Sequence, residues 1–81
     1  MPNLQTIAEH INGYFDEKML SVPEVRELLL NPDGIRTSAQ AEAQQFMVFK
    51  MAQHGLSEDD QAELRDILWR QNQSLSLGVA S

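Results

Sequence analysis

Cysteine is absent from this chain of 81 residues, and no apolar run is long enough to cross a lipid bilayer. Without cysteine there is neither a disulfide framework nor a thiolate metal site, so stability has to come from packing, as is usual in a reducing compartment. A membrane span needs roughly 18 consecutive apolar residues. The first five residues also lack the basic and apolar parts of a secretory signal. We therefore expect a soluble, cytoplasmic protein that does not insert into membranes.

Basic residues are scarce, because six Lys and Arg stand against twelve Asp and Glu, for a formal net charge of -6. This charge repels nucleic acid phosphates and anionic lipids at long range. It favours either a protein partner with a basic surface or simply a well-solvated exterior. The composition therefore predicts no binding to nucleic acid and none to a membrane.

Catalytic and cofactor motifs are also missing. No Gly-x-Ser-x-Gly or Ser-x-x-Lys pattern offers an activated serine, and the four glycines do not form a phosphate-binding loop. The two histidines, His10 and His54, are far apart in the sequence, and nothing in their spacing brings them together with a carboxylate. His54 falls instead at the predicted end of a helix, where an imidazolium interacts favourably with the helix dipole. We predict no enzyme activity, no catalytic residue, no metal site and no cofactor.

Residues that cap the beginnings and ends of helices are the strongest signal in the sequence. Asn3 is a good N-cap, and two Ser or Thr residues stand three positions before Glu24 and Gln40, as in capping boxes. Gly55 followed by an apolar residue is typical of a Schellman ending. These signals predict an all-α fold, a small bundle of four helices with a flexible C-terminal tail. The predicted helices cover residues 4–19, 22–30, 38–54 and 58–72, so that residues 1–73 form one domain and residues 74–81 form the tail.

The first predicted helix carries a narrow apolar stripe at helical spacing, formed by Leu4, Ile7, Ala8, Ile11, Phe15 and Met19. Tyr14 lies at the edge of this stripe. Asn12 and Gly13 interrupt it, and a glycine inside a helix costs about 1 kcal/mol relative to alanine. The stripe predicts a buried face, while the interruption allows a bend or an early end near Gly13.

The third predicted helix is apolar on every side. One side consists of Met47, Val48, Met51 and Ala52. Phe46 and Phe49 point to the other side, because successive residues of a helix are about 100° apart. If the first side packs on helices one and four, the two phenylalanines need cover from helix two or from another subunit. Burial of both is worth roughly 3 to 6 kcal/mol, which is too much to leave in water on a small protein.

The single tryptophan, Trp69, lies off the core stripe of the fourth predicted helix, about 140° from Leu64. Either the tail or helix one covers it, or it is an exposed aromatic residue beside Arg65. Tryptophan and arginine are among the residues most enriched at binding hot spots. Trp69 and Arg65 are therefore candidate partner-binding residues, together with Phe46 and Phe49.

These observations predict a small, acidic, non-enzymatic protein-interaction module, such as an adaptor, a chaperone or an inhibitor. The apolar residues of helices three and four would supply its affinity for a protein partner. The acidic surface favours a partner with a basic surface. The first alternative is a structural module that covers its apolar surface by forming a homodimer or a larger homo-oligomer.

A second alternative is a helix-turn-helix regulator that binds nucleic acid, because residues 51–57 and the helix that follows resemble such a motif. Two details argue against it. The spacing from Ala52 to Gly55 is one residue shorter than the usual pattern, and the helix in the recognition position opens with Glu58, Asp59 and Asp60. Those three carboxylates would face phosphates or base edges.

Overall fold

The computed structural model describes residues 3–80, and their side chains except those of Pro32 and residues 74–80. Within this part of the chain the architecture is all-α, with no strand. The elements are α1 (Leu4–Glu17), α2 (Val22–Leu30), a short 3-10 turn (Pro32–Gly34), α3 (Ser38–Gln53) and α4 (Glu58–Ala80). The predicted bundle of four helices is confirmed.

The helices begin where their capping residues stand. The Asn3 side chain accepts hydrogen bonds from two backbone N–H groups in the first turn of α1. Complete capping boxes open α2, with Ser21 and Glu24, and α3, with Thr37 and Gln40. The hydrogen bonds from the backbone N–H and the hydroxyl of Ser21 lower the pKa of Glu24. Because each cap satisfies N–H groups that have no partner within the helix, these local signals set the helix starts.

The end of α3 is the Schellman motif that the sequence predicts. Gly55 has a φ of 60°, which a glycine adopts without steric cost. Its N–H donates to the carbonyl of Ala52, and the N–H of Leu56 donates to the carbonyl of Met51, each at 3.1 Å. Leu56 is buried behind the turn. The motif therefore satisfies the last carbonyls of α3 and redirects the chain into α4.

The end of α1 is the same motif, but without a glycine. The N–H groups of Met19 and Leu20 donate to the carbonyls of Asp16 and Phe15, at 2.9 and 3.1 Å. Met19 takes the left-handed conformation, with a φ of 58°, and its side chain is 87% exposed. The prediction that helix one runs to residue 19 and buries Met19 is therefore wrong. Leu20, which is partly buried against the core, covers this end of the bundle instead.

Replacing Met19 with glycine is expected to stabilise the protein by about 0.5–1 kcal/mol, since a side chain in the left-handed region is strained. Little packing is lost, because the methionine side chain is exposed. The matched control is Gly55→Ala, which introduces the same strain and is expected to destabilise the protein by about 1 kcal/mol. Urea denaturation monitored by circular dichroism measures both changes. A destabilised Met19→Gly variant would show that the Met19 side chain packs in solution.

α1 runs through Asn12 and Gly13 without a break. The Asn12 side chain is buried, and its Nδ2 donates to the carbonyl of Leu68 and to Oε1 of Gln71 on α4, both at 3.3 Å. Gly13 is exposed, and a Cβ at this position would meet nothing within 4 Å. The contact of Asn12 with α4 therefore holds the helix straight at a dipeptide that otherwise favours a turn.

The core lies where α1 meets the other helices. α1 packs chiefly on α4 and next on α3, while α2 packs on α4 and α3. The buried apolar residues are Ile7, Ala8, Ile11 and Phe15 of α1, Val25, Leu28 and Leu29 of α2, Ala43, Met47 and Met51 of α3, Leu56, and Leu64 and Leu68 of α4. α3 is thus covered along one side only, which leaves its opposite side free.

α4 continues beyond its predicted end at residue 72 and reaches Ala80. An ion pair between Asp66 and Arg70, one turn apart on α4, lies on the surface. The flexible tail predicted for residues 74–81 falls on residues whose side chains lie outside the description, and it stays a prediction. None of the helices in the described range combines the length and the apolar character needed to cross a membrane.

Candidate functional site

The outer side of α3 exposes two neighbouring large apolar residues. Val48 is 52% exposed and Phe49 is 61% exposed. The sequence places Val48 and Ala52 on the covered side with Met47, but both lie in solvent, so that expectation is wrong. Val48 and Ala52 are exposed because α1 and α2 cover only the stripe of α3 that contains Ala43, Met47 and Met51.

Residues that carry no charge continue this exposed surface along the helix. Ala41, Gln45, Val48, Phe49 and Ala52 lie on the outer side of α3, and we name them the α3 face. Gln45, Val48, Phe49 and Ala52 are exposed, and Ala41 is partly exposed. The spacing of four, three and four residues from Ala41 to Ala52 keeps them on one side of the helix. The α3 face is therefore an uncharged surface on a strongly acidic protein, and the carboxylate at its border, that of Glu42, is paired with Lys18.

Phe46 is covered by α1. Its ring stacks on that of Tyr14, with the ring centroids 4.2 Å apart and the planes 5° from parallel. Both rings are partly buried against the core. The expectation that helix two or another subunit covers Phe46 is therefore wrong. Phe49, on the other hand, has no such cover and remains an exposed aromatic residue in the described structure.

Two lysines flank the stacked rings. Lys18 Nζ lies 5.5 Å from the centroid of the Tyr14 ring, and Lys50 Nζ lies 5.5 Å from that of Phe46, both within reach of a cation–π interaction. Lys18 Nζ also contacts a carboxylate oxygen of Glu42 at 2.7 Å. That hydrogen bond and the charge of Glu42 raise the pKa of Lys18, with a smaller contribution from Tyr14. The ion pair of Lys18 with Glu42 joins the C-terminal end of α1 to α3.

A groove of about 500 Å³ opens between α1 and α3, next to the aromatic pair. We name it the Gly13 groove. Its lining comprises Glu9, His10, Gly13, Tyr14 and Glu17 from α1, and Phe46 and Lys50 from α3. The sequence did not lead us to expect this groove. The available signal was the recurrence of Glu9, Gly13 and Glu17 every four residues, which places them along one side of a helix.

Trp69 lies in a different place from the two phenylalanines. It is partly buried and lines a groove of about 690 Å³ with α2 residues that include Val22, Pro23, Arg26 and Leu30. Helix two therefore lies beside Trp69, and cover by the tail stays a prediction because the side chains of the tail lie outside the described range. Arg65 is partly exposed and lines neither groove. The four predicted residues thus do not line one groove.

The described surface offers an exposed apolar helix face and two grooves. Among the described side chains no group of three or more His, Asp or Glu residues is placed to hold a metal ion. The α3 face offers apolar area, the Gly13 groove adds carboxylates beside aromatic rings, and the Trp69 groove combines apolar residues with an arginine. No protein-family model, curated protein or solved structure matches this chain.

Proposed function

We propose that this chain is a small, acidic, non-enzymatic protein-interaction module, an adaptor, chaperone or inhibitor, that binds a protein partner through the α3 face. The observation that carries the proposal is the exposure of Phe49 and Val48 side by side. Burial of one such side chain contributes about 1.5–3 kcal/mol, so a partner that covers both gains substantial affinity. Phe46, fixed by its stack on Tyr14, provides a rigid border for this surface.

The net charge of the protein supports a partner with a basic surface. The net charge of -6 attracts a positively charged surface at long range, whereas the uncharged α3 face forms the close contact without burying an ionised group. α4, which follows the turn at the end of α3, begins with Glu58, Asp59 and Asp60. These carboxylates disfavour a nucleic acid partner.

The test is quantitative capture from an extract of the source cells, with the wild-type protein and two matched variants as baits. Phe49→Ser removes an exposed apolar residue from the α3 face. Leu30→Ser removes one from the edge of the Trp69 groove, where the wild-type side chain is also exposed. We expect Phe49→Ser to lose the specific partner at least tenfold and Leu30→Ser to retain it. The opposite result would move the binding site to Trp69 and contradict the proposal.

Self-association is the second candidate, because the α3 face carries no charge along its whole length. Two copies that meet there bring together few like charges, because the carboxylate at the border, that of Glu42, is paired with Lys18. Its 4-3-4 spacing of small and medium residues is the spacing of a coiled-coil seam. Light scattering over a range of concentrations distinguishes the two candidates. A dimer that Phe49→Ser dissociates would support the homo-oligomeric module, and a monomer at all concentrations would exclude it.

A further inference from the structure

We propose that the Gly13 groove receives an arginine side chain of the protein partner. This inference rests on the proposed function, since the groove borders Phe46 and the same partner would cover the α3 face. It goes further by naming the chemistry that the partner must present. Three features carry it: the open position at Gly13, the aromatic wall beside it and the two carboxylates at its rim.

Gly13 is not required by the fold. It lies in the interior of α1, where glycine is unfavourable compared with alanine. A Cβ built there meets no other atom within 4 Å, and the backbone is helical, so neither crowding nor a positive φ demands glycine. The effect of the missing side chain is to leave the floor of the groove open between the residues that stand one turn before and one turn after it.

Glu9 and Glu17 occupy those two positions. Each is four residues from Gly13, about 6 Å along the helix axis. Both are exposed, and within the described side chains neither carboxylate takes part in an ion pair. Lys50 is the one Lys or Arg in the lining and lies over Phe46, so the two carboxylates outnumber it. A partner residue of positive charge complements them.

The position between two carboxylates, beside an aromatic wall, favours arginine among the cations. Tyr14 and Phe46 form the apolar side of the groove, and their stacking holds both rings in place. A guanidinium is planar, packs well on aromatic rings and presents several N–H donors, whereas the ammonium of lysine is compact and strongly hydrated. Lys18 and Lys50 already lie over the outer faces of the two rings, so an arginine whose methylene groups lie over Gly13 meets the ring edges. From there it can direct N–H groups on its two sides to the carboxylates of Glu9 and Glu17.

Peptide selection tests the inference without knowledge of the natural partner. A display library of random 12-residue peptides is panned against the wild type, Gly13→Ala, Glu9→Gln/Glu17→Gln and Phe49→Ser. We expect peptides from the wild type to contain arginine near bulky apolar residues. Selection on Gly13→Ala or on the double glutamine variant should keep the apolar residues and lose the arginine. Selection on Phe49→Ser should lose the apolar residues.

The affinity of one selected arginine peptide then gives the size of the effect. We expect the double glutamine variant to bind about three- to tenfold more weakly, as for two exposed ion pairs. The control Glu58→Gln/Asp59→Asn removes the same charge at the start of α4, and its affinity should match the wild type. Gly13→Ala should bind more weakly although its melting temperature rises by about 4–8 °C, because alanine favours the helix.

The outcomes separate this inference from the proposed function. One outcome is that the selected peptides are apolar, carry no excess of arginine and are lost on Phe49→Ser. That result would contradict the assignment of an arginine to the Gly13 groove and would support binding through the α3 face. Equal weakening by the α4 control would reduce the arginine preference to general charge attraction and would also overturn it. A library that yields no binder to the wild type would contradict both proposals.

Discussion

Replacement of Phe15 by alanine is expected to destabilise the protein by about 3–5 kcal/mol, the range for a large aromatic residue in a closed core. Phe15 is 1% exposed and belongs to the apolar core at the centre of the bundle. A domain of this size has a total stability of only about 5–15 kcal/mol, so the loss is a large share of it. Urea denaturation monitored by circular dichroism at 25 °C measures the change.

Phe49→Ala is the matched control, since it removes the same side chain from a position that is 61% exposed. We expect a change in stability within about 0.5 kcal/mol. The comparison is run at several protein concentrations. If Phe49→Ala is as costly as Phe15→Ala only at high concentration, a second copy covers the α3 face. If it is as costly at every concentration, the assignment of Phe49 to the surface is wrong.

The second large effect is expected at Gln40, where alanine should cost about 2–3 kcal/mol. The Gln40 side chain is 1% exposed, although it is polar and stands in the first turn of α3. Its Oε1 accepts hydrogen bonds from the N–H groups of Arg36 and Thr37, at 3.1 and 3.2 Å. Its Nε2 donates to the carbonyl of Glu24 on α2, at 3.0 Å. Alanine leaves both N–H groups without this acceptor and opens a void between α2 and α3.

Two variants identify the cause of that loss. Gln45→Ala is the control on the exposed side of the same helix, and it should be neutral or slightly stabilising because alanine has the higher helix propensity. Gln40→Glu keeps an acceptor for the capping box, but it loses the donor to Glu24 and places a carboxylate near that of Glu27, which is 3.4 Å from Nε2 of Gln40. It should therefore be destabilised as well. A Gln40→Glu protein of wild-type stability would show that the cap alone matters.

The features of the fold that the sequence predicts correctly depend on residues close together in the chain. Asn3, the two capping boxes and Gly55 act on backbone groups within one turn of themselves, so residue type and spacing suffice to predict them. The stripe of α1 from Ile7 to Phe15 follows equally from helical spacing. Met19 is the local exception, because a Schellman ending usually has glycine where this chain has methionine.

The sites are less predictable, because they depend on which helices become neighbours. Asn12 and Gly13 favour a turn by themselves, but the contact of Asn12 with α4 keeps α1 straight and leaves Gly13 as the floor of a groove. The spacing of α3 does not say which of its apolar sides is covered. α1 reaches Phe46 through Tyr14, and the opposite side stays open at Val48 and Phe49.

By itself, then, the sequence determined the number of helices, their starts and the stripe of α1 that faces the core, since hydrogen bonds and periodicity within a few residues decide these features. The tertiary structure alone decided the exposure of the α3 face, the burial of Gln40 and the position of Trp69 beside α2. Each of these depends on the distance between residues on different helices, which helical spacing does not specify.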